Sequence, residues 1–328
     1  MNLVELYDTL VISEEDNEKV FNAIPIPDFP NFRIAIDNEG NPVLLLTIAN
    51  RLRSNSIKNF RLKYLQLLQN IECKISENGK ESFKTFTVVT FTSADRYLRE
   101  YFLRVAESFV KALNIKPTQE QVVETINKFV EVFRSLNDTP TNTVHGLWTE
   151  LFLIECSANP NVLLNYWHNI PEEKFDFNSG NEKIEVKSNS NFERIHTFSS
   201  EQLNPPTGTQ VLIASIFIRQ HSNGISIQQL VESIIAKIQN NNNLIEKLNL
   251  NIVRTLGNSL EQSLKIKFDY DIAKDSLRFY SQNDIKKIEK INIPHEISEV
   301  RYRSNLTGIE QIKLSLLKER GDLFRSIS

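Results

Sequence analysis

Cysteine is almost missing from this chain: Cys73 and Cys156 are the two in 328 residues, too few and too distant in sequence for a disulfide framework or a thiolate metal site. A reducing cytoplasm is the expected setting. No apolar run approaches the roughly 18 residues of a membrane span. The opening MNLVELYDTLVISEED is acidic where a secretory leader is basic, so neither membrane insertion nor secretion is expected. A basic surplus is absent too. Lys and Arg number 38 against 41 Asp and Glu, a formal net charge of -3, so no global field draws the chain to nucleic acid. Such attraction has to come from a local patch or a partner. Internal repeats, a glycine-rich phosphate loop and a His/Cys cluster are also missing, which removes P-loop NTPases, dinucleotide enzymes and zinc sites from the leading readings.

With 40% hydrophobic and 24% charged residues the chain is globular and long enough for one large core or two ordinary ones. Residues 1 to about 92 mix short apolar runs with turn signals, at 32–36, 42–47 and 83–89, and predict a small β-rich module. Two helices follow, over 95–113 and 119–136. Tyr97, Leu98, Tyr101, Phe102, Val105 and Phe109 line one; Val122, Ile126, Phe129, Val130 and Phe133 line the other, which opens on a Thr118/Gln121 capping box after Pro117. Their apolar faces need a partner. A local basic patch is available at Arg51, Arg53, Lys58, Arg61 and Lys63, interleaved with Leu52, Phe60, Leu62 and Tyr64; a solvated amphipathic face is the stronger reading of it.

Asn137-Asp-Thr-Pro140 breaks the helical pattern and marks a boundary, giving expected domains 1–140, 141–240 and 241–328. The middle domain reads as helix 144–157, strand 162–167, hairpin 174–178 with 183–188, short helix 199–204, strand 210–219 and helix 226–239. Strand 210–219 is an apolar run, with Ser215 its one interior polar residue, of the kind buried on both faces, and is expected to be central. The last domain alternates in period two at Leu264, Ile266, Phe268 and Tyr270, at Leu277 and Phe279, and at Val300 and Tyr302, predicting antiparallel strands on the edge of the core or in a C-terminal appendix. The class expected is α/β, or α+β.

The hairpin carries the chemistry. Alternation places Ile184 and Val186 on one face of its second strand and Lys183, Glu185 and Lys187 on the other, with Asp176 flanked by Phe175 and Phe177 on the first strand. A turn at Asn178-Ser-Gly-Asn181 sets Asp176 opposite Lys183, with Glu185 as its diagonal neighbour about 7–8 Å away. Two carboxylates on adjacent strands make half a shell for Mg²⁺, which takes a few acids plus water and phosphate oxygens. Lys187 on the same face is suited to position or deprotonate a water in phosphodiester cleavage. The triplets Glu72-Cys-Lys74 and Asp284-Ile-Lys286 lack an upstream acid and a hairpin.

The order Gly146-Leu-Trp-Thr-Glu150-Leu, Asp176-Phe, Glu185-Val-Lys187, Arg194-x-His196 and Ser199-Ser-Glu-Gln202-Leu resembles a bacterial branch of the PD-(D/E)XK nuclease superfamily, closely over about 140–240. Phe175 stands where the pattern names proline, and Pro206 where a Gln-x-x-x-Tyr exonuclease motif has tyrosine. The resemblance implies a restriction-endonuclease-like αβββαβ core and a Mg²⁺-dependent deoxyribonuclease, with Mn²⁺ as the other ion. It also implies service in restriction or phage defence beside a methylase or ATPase. On that reading Asp176, Glu185 and Glu150 hold the metal, Lys187 and Gln202 complete the catalytic set, and Arg194 and His196 hold a phosphate of the DNA. The competing reading is a non-enzymatic module that binds DNA or protein through a vestigial site. His145 reads as helix-end chemistry, and Trp148 and Trp167 as core.

Overall fold

The computed structural model describes all residues except 1, 14–19, 48–58, 78–79, 114–116, 135–143, 170–172 and 239–240. Arg51, Arg53 and Lys58 of the basic patch and the break at Asn137–Pro140 lie outside the described residues. The chain is a mixture of helices and several sheets, an α+β protein. It divides into two compact units, Met1–Thr139 with Gly257–Glu261, and Pro140–Leu256 with Gln262–Ser328.

The first unit contains α1 (Leu3–Asp8), β1 (Val20–Ile26), β2 (Phe29–Ile36), β3 (Pro42–Leu46), β4 (Phe60–Arg61), β5 (Leu65–Glu77), β6 (Lys80–Phe91), α2 (Arg96–Lys111) and α3 (Gln119–Arg134). Its sheet runs β1-β2-β3-β6-β5-β4, and β1 also pairs parallel with β5. That extra pairing closes β1, β2, β3, β6 and β5 into a ring, with the two-residue β4 outside it on β5. Phe21, Ala35, Val43, Leu45, Cys73, Ile75 and Phe86 pack together in its core. The apolar faces of α2 and α3 find their partner within this unit. Phe91 of β6 stacks on Phe102 at 4.6 Å and meets Phe133 edge-on at 5.5 Å, and Phe102 meets Phe129 at 5.5 Å. Both halves of the Thr118/Gln121 capping box are formed.

The second unit contains α4 (Val144–Cys156), α5 (Pro160–Tyr166), β7 (Phe177–Asn178), β8 (Glu182–Asn189), β9 (Ile195–Ser199), α6 (Ser200–Leu203), β10 (Gln210–Phe217), β11 (Gln220–Ser226), α7 (Ile227–Lys237), α8 (Asn242–Leu256), α9 (Leu260–Ser263, which starts in the first unit), β12 (Lys267–Phe268), α10 (Tyr270–Ser276), β13 (Arg278–Ser281), β14 (Arg301–Asn305) and α11 (Asp322–Arg325). The sheet order is β13-β10-β8-β7, with β8 and β10 parallel. β10 is central and buried along almost its whole length. β9 pairs instead with β14 in a separate ribbon.

Three expectations are corrected. The strand expected at 162–167 is helix α5. A short apolar run does not by itself distinguish strand from buried helix, and here Asn159 caps the backbone N–H of Val162 while Pro160 occupies the first turn. The stretch expected as a strand through Tyr270 holds only β12 before α10 begins, capped by Asp269 accepting from the Ile272 N–H at 3.1 Å. The hairpin turn also sits differently. Phe177 pairs with Ile184 and Asn178 with Lys183, and the Ser179 N–H reaches the Glu182 carbonyl at 3.0 Å. Gly180 and Asn181 are therefore the loop, with Gly180 at φ 91°. A two-residue turn with positive φ at its first central position favours glycine there, whereas the expected turn would have put Ser179 in that position. The turn moves by one residue and each cross-strand partner by two, so the faces survive; the ladder ends at Phe177 and Ile184, one residue short of Asp176 and Glu185.

A close approach fixes β11 against β12. A Cβ built on Gly224 would lie 2.3 Å from the backbone carbonyl oxygen of Phe268. Gly224→Ala is expected to cost about 1–3 kcal/mol through forced separation of these strands. A urea melt should show a lower midpoint with an unchanged slope; a midpoint equal to the parent's would show that the contact relaxes freely.

Candidate active site

β7 is only two residues long, so β8 loses its neighbour on that edge at Glu185. Asp176 takes the missing strand's place. Its Oδ2 accepts the Val186 N–H at 2.6 Å, and its own carbonyl accepts the His168 N–H at 2.9 Å. The chain thereby pins the Asp176 carboxyl to the exposed edge of β8, beside Glu185.

Glu185 is 4% exposed. Lys187, two residues along the same face, lies with Nζ 2.6 Å from Glu185 Oε1, and its ammonium stands 5.5 Å from the centre of the Phe198 ring. Glu185 Oε2 is buried and has no direct hydrogen-bond partner among the described residues. The Gln202 amide, hydrogen-bonding toward Glu185, favours its charged form, and it also ties α6 down: Oε1 accepts the Ser199 N–H at 3.1 Å in the α6 capping box, and Nε2 donates to the Lys174 carbonyl at 3.1 Å.

Glu150 sits midway along α4, which is apolar nearly all round, where an unpartnered carboxylate would be costly. Its Oε2 accepts the Trp167 indole N–H at 2.8 Å and meets His168 Nε2 at 3.0 Å. A carboxylate oxygen needs a donor, which assigns the His168 proton to Nε2.

These groups act on one another. Burial, then the charges of Glu185 and Glu150, push the Asp176 carboxyl well above the usual carboxylate range. Burial raises Glu185 too, against the pull of Lys187. At Lys187 burial opposes the charge and is outweighed by Glu185, Asp176 and Glu150, so the ammonium is held more firmly than usual. Three carboxylates against one ammonium leave an excess of negative charge in a poorly solvated place, the condition that a bound cation relieves.

Asp176, Glu185, Lys187 and Glu150 thus interact electrostatically, with Gln202 adjoining. The expected trio of acids is not gathered as a shell, because among the described residues no group of three or more His, Cys, Asp or Glu is placed to hold one ion. Arg194 and His196 turn onto Ser215. Arg194 Nη1 donates to the Ser215 carbonyl at 2.6 Å and Oγ at 2.8 Å, and Nη2 to the Ser276 carbonyl. His196 Nε2 lies 2.7 Å from the same Oγ. Burial first, then Lys187 and Arg194, push the His196 pKa down to about 4, so its ring is neutral at neutral pH. His196 offers no cationic donor, whereas the Arg194 guanidinium uses three of its five N–H groups in these bonds.

His168 and the indole N–H of Trp167 were not legible as partners of Glu150. Their adjacency, two ring donors between an apolar helix and the acidic hairpin, is the one signal that pointed to them. His145 rests edge-on against Phe268 at 5.2 Å, and Trp148 donates to the Ile225 carbonyl at 2.9 Å. A cavity of about 490 Å³ lies elsewhere, beside Glu155, His221, Asp269 and Tyr270. There Glu155 is already satisfied by Ser233, Lys237 and Tyr270.

Against known proteins, residues 3–307 match the model of the family described as "Putative PD-(D/E)XK family member, (DUF4420)". No curated protein and no solved structure matches the chain.

Proposed function

We propose, from the premise that the chain belongs to this PD-(D/E)XK family, that it is a Mg²⁺-dependent nuclease hydrolysing phosphodiester bonds of DNA at Asp176, Glu185 and Lys187. The observation that carries the reading is the buried Oε2 of Glu185, which finds no direct hydrogen-bond partner among the described residues and lies beside a second carboxyl of raised pKa. A carboxylate oxygen left unpaired in a protein interior costs free energy, and a cation relieves that cost. Mg²⁺ takes a few carboxylates and completes its shell with water and phosphate oxygens, so two acids suit it, and Mn²⁺ takes the same donors. α4, β7, β8, β9, α6 and β10 are read here as the αβββαβ core, with α5 as an addition.

A divalent cation on Asp176 and Glu185 would supply Lewis-acid activation of water and phosphate. The chain's own residues do the rest. Asp176, tied to the Val186 N–H, cannot swing away, and Glu185 is fixed by burial. Lys187 keeps its proton, upheld by the three acids around it, and so stabilises charge on the phosphate and orients the attacking water. Glu150, held by Trp167 and His168, is a fixed negative charge behind Asp176. Service in restriction or phage defence beside a methylase or ATPase rests on the resemblance alone.

Protein stripped with a chelator and then given Mg²⁺, Mn²⁺ or Ca²⁺ is expected to cut supercoiled plasmid with the first two ions and not the third. Failure on plasmid, linear duplex, single strand and RNA with every ion would leave the non-enzymatic reading in its place.

A further inference from the structure

Helix α8, which the sequence pattern did not reveal, directs three donors at one loop. Lys247, Asn251 and Arg254 lie at i, i+4 and i+7 and so share a face. Lys247 Nζ donates to the carbonyls of Asn165 at 2.9 Å and Trp167 at 2.6 Å. Asn251 Nδ2 donates to the His168 carbonyl, and Arg254 Nη1 to the Asn169 carbonyl at 3.0 Å. Four carbonyls within five residues, from the last turn of α5 through the bridge of Trp167 to Phe177, are thereby held by side chains of one helix. Asn251 is 2% exposed, so its amide has no water to turn to. The loop so held is the one whose Trp167 and His168 rings grip Glu150.

We propose that Lys247, Asn251 and Arg254 form a clasp that positions the Glu150 carboxylate beside Asp176 and Glu185, acting through Trp167 and His168. None of the three touches a reacting atom; they are positioning residues. The chain of contact runs from α8 to the loop carbonyls, through two ring N–H groups to Glu150 Oε2, and then by charge to Asp176 and Lys187. Displacement of a catalytic group by about 1 Å can cost on the order of 10²-fold in rate, so slack at α8 is felt at the reaction. The kinetic half of this proposal rests on the nuclease reading. The structural half does not.

The test uses the full chain with ¹⁵N-labelled tryptophan. Two indole N–H signals are expected, from Trp148 and Trp167, and the first is an internal control because its partner is the Ile225 carbonyl. Lys247→Met keeps the aliphatic stem and removes the donors; Lys247→Arg restores them. Lys247→Met and Asn251→Leu are expected to shift the Trp167 signal and speed its exchange while leaving Trp148 in place. They should lower kcat for DNA about tenfold with KM unchanged, and Lys247→Arg should recover the rate. Arg254→Ala, at a half-buried position, serves if either substitution fails to fold. A Trp167 signal that does not move overturns the clasp, as does one that moves with kcat intact. A parent that cuts nothing sinks the nuclease reading, and the Trp167 signal then decides the clasp alone.

Discussion

Lys187→Ala is expected to slow DNA cleavage by about 10²–10⁴-fold, the range spanned by loss of a positioned proton-transfer or charge-stabilising group, while Mg²⁺ binding stays close to the parent's. A lysine that holds its proton cannot be a metal ligand, and burial, opposed and overcome by Glu185, Asp176 and Glu150, leaves Lys187 protonated. Its work therefore falls on the phosphate and the water. The change also leaves the buried Glu185 Oε1 without its 2.6 Å partner, at a stability cost of about 1–3 kcal/mol. Cleavage should accordingly be compared well below the melting temperature. Single-turnover rates beside calorimetric Mg²⁺ titrations separate the two effects. A variant that cuts as fast as the parent would remove Lys187 from the site and leave the acids standing.

Asp176→Asn is expected to do something less usual for an active-site change: stabilise the metal-free protein. The Asp176 carboxyl is raised by burial, by Glu185 and by Glu150, so the folded state holds that proton more tightly than the unfolded chain does. Folding stability then falls as pH rises from the ordinary carboxylate range through the raised value. At neutral pH the metal-free parent carries this penalty in full or in part, and asparagine removes it while still offering an oxygen to the Val186 N–H. The melting temperature should rise by about 2–4 °C for each kcal/mol relieved in a unit of this size. Mg²⁺ reverses the order. At about 100 times its dissociation constant a ligand stabilises by about 2.7 kcal/mol, a gain open to the parent and closed to Asp176→Asn. Because metal binding requires the charged carboxylates, the parent's gain should fade on acidification at higher pH than for an isolated acid pair. Thermal melts of both proteins from pH 4 to 8, with and without Mg²⁺, display all of this. An Asp176→Asn protein that melts below the metal-free parent at neutral pH, and gains as much from Mg²⁺, contradicts it.

What the sequence made legible is uneven, for physical reasons. β10 is clear because a strand covered on both faces carries an apolar run, Val211 to Ala214 and again from Ile216, with Ser215 as its one polar member. The face shared by Glu185 and Lys187 was clear because strand alternation has period two, and it survived a turn displaced from Asn178–Asn181 to Ser179–Glu182. Helix α5 was misread since Val162 to Trp167 is too short and too apolar for periodicity to separate helix from strand, and the decisive signal was Asn159-Pro160. α8 was overlooked, although Leu244, Leu248, Ile252 and Leu256 lie on its buried side, because the polar run at 240–243 reads as a stop. The closed ring of the first unit depends on the pairing of Val20 with Lys74 and Asn22 with Ser76, a long-range register that no local pattern encodes. Arg194 and His196 fit phosphate holders by residue type; that both reach Ser215 on β10 is a long-range contact no local pattern encodes.

The most direct test of the account uses Glu185→Gln, which keeps the shape of the buried side chain and removes its charge. Mg²⁺ titration of the chelator-stripped parent and of this variant, run beside plasmid cleavage by the same samples, is the measurement. The account predicts a saturable Mg²⁺ site and Mg²⁺-dependent strand cleavage in the parent, and neither in Glu185→Gln. A Glu185→Gln protein that binds Mg²⁺ and cuts DNA as the parent does would contradict it.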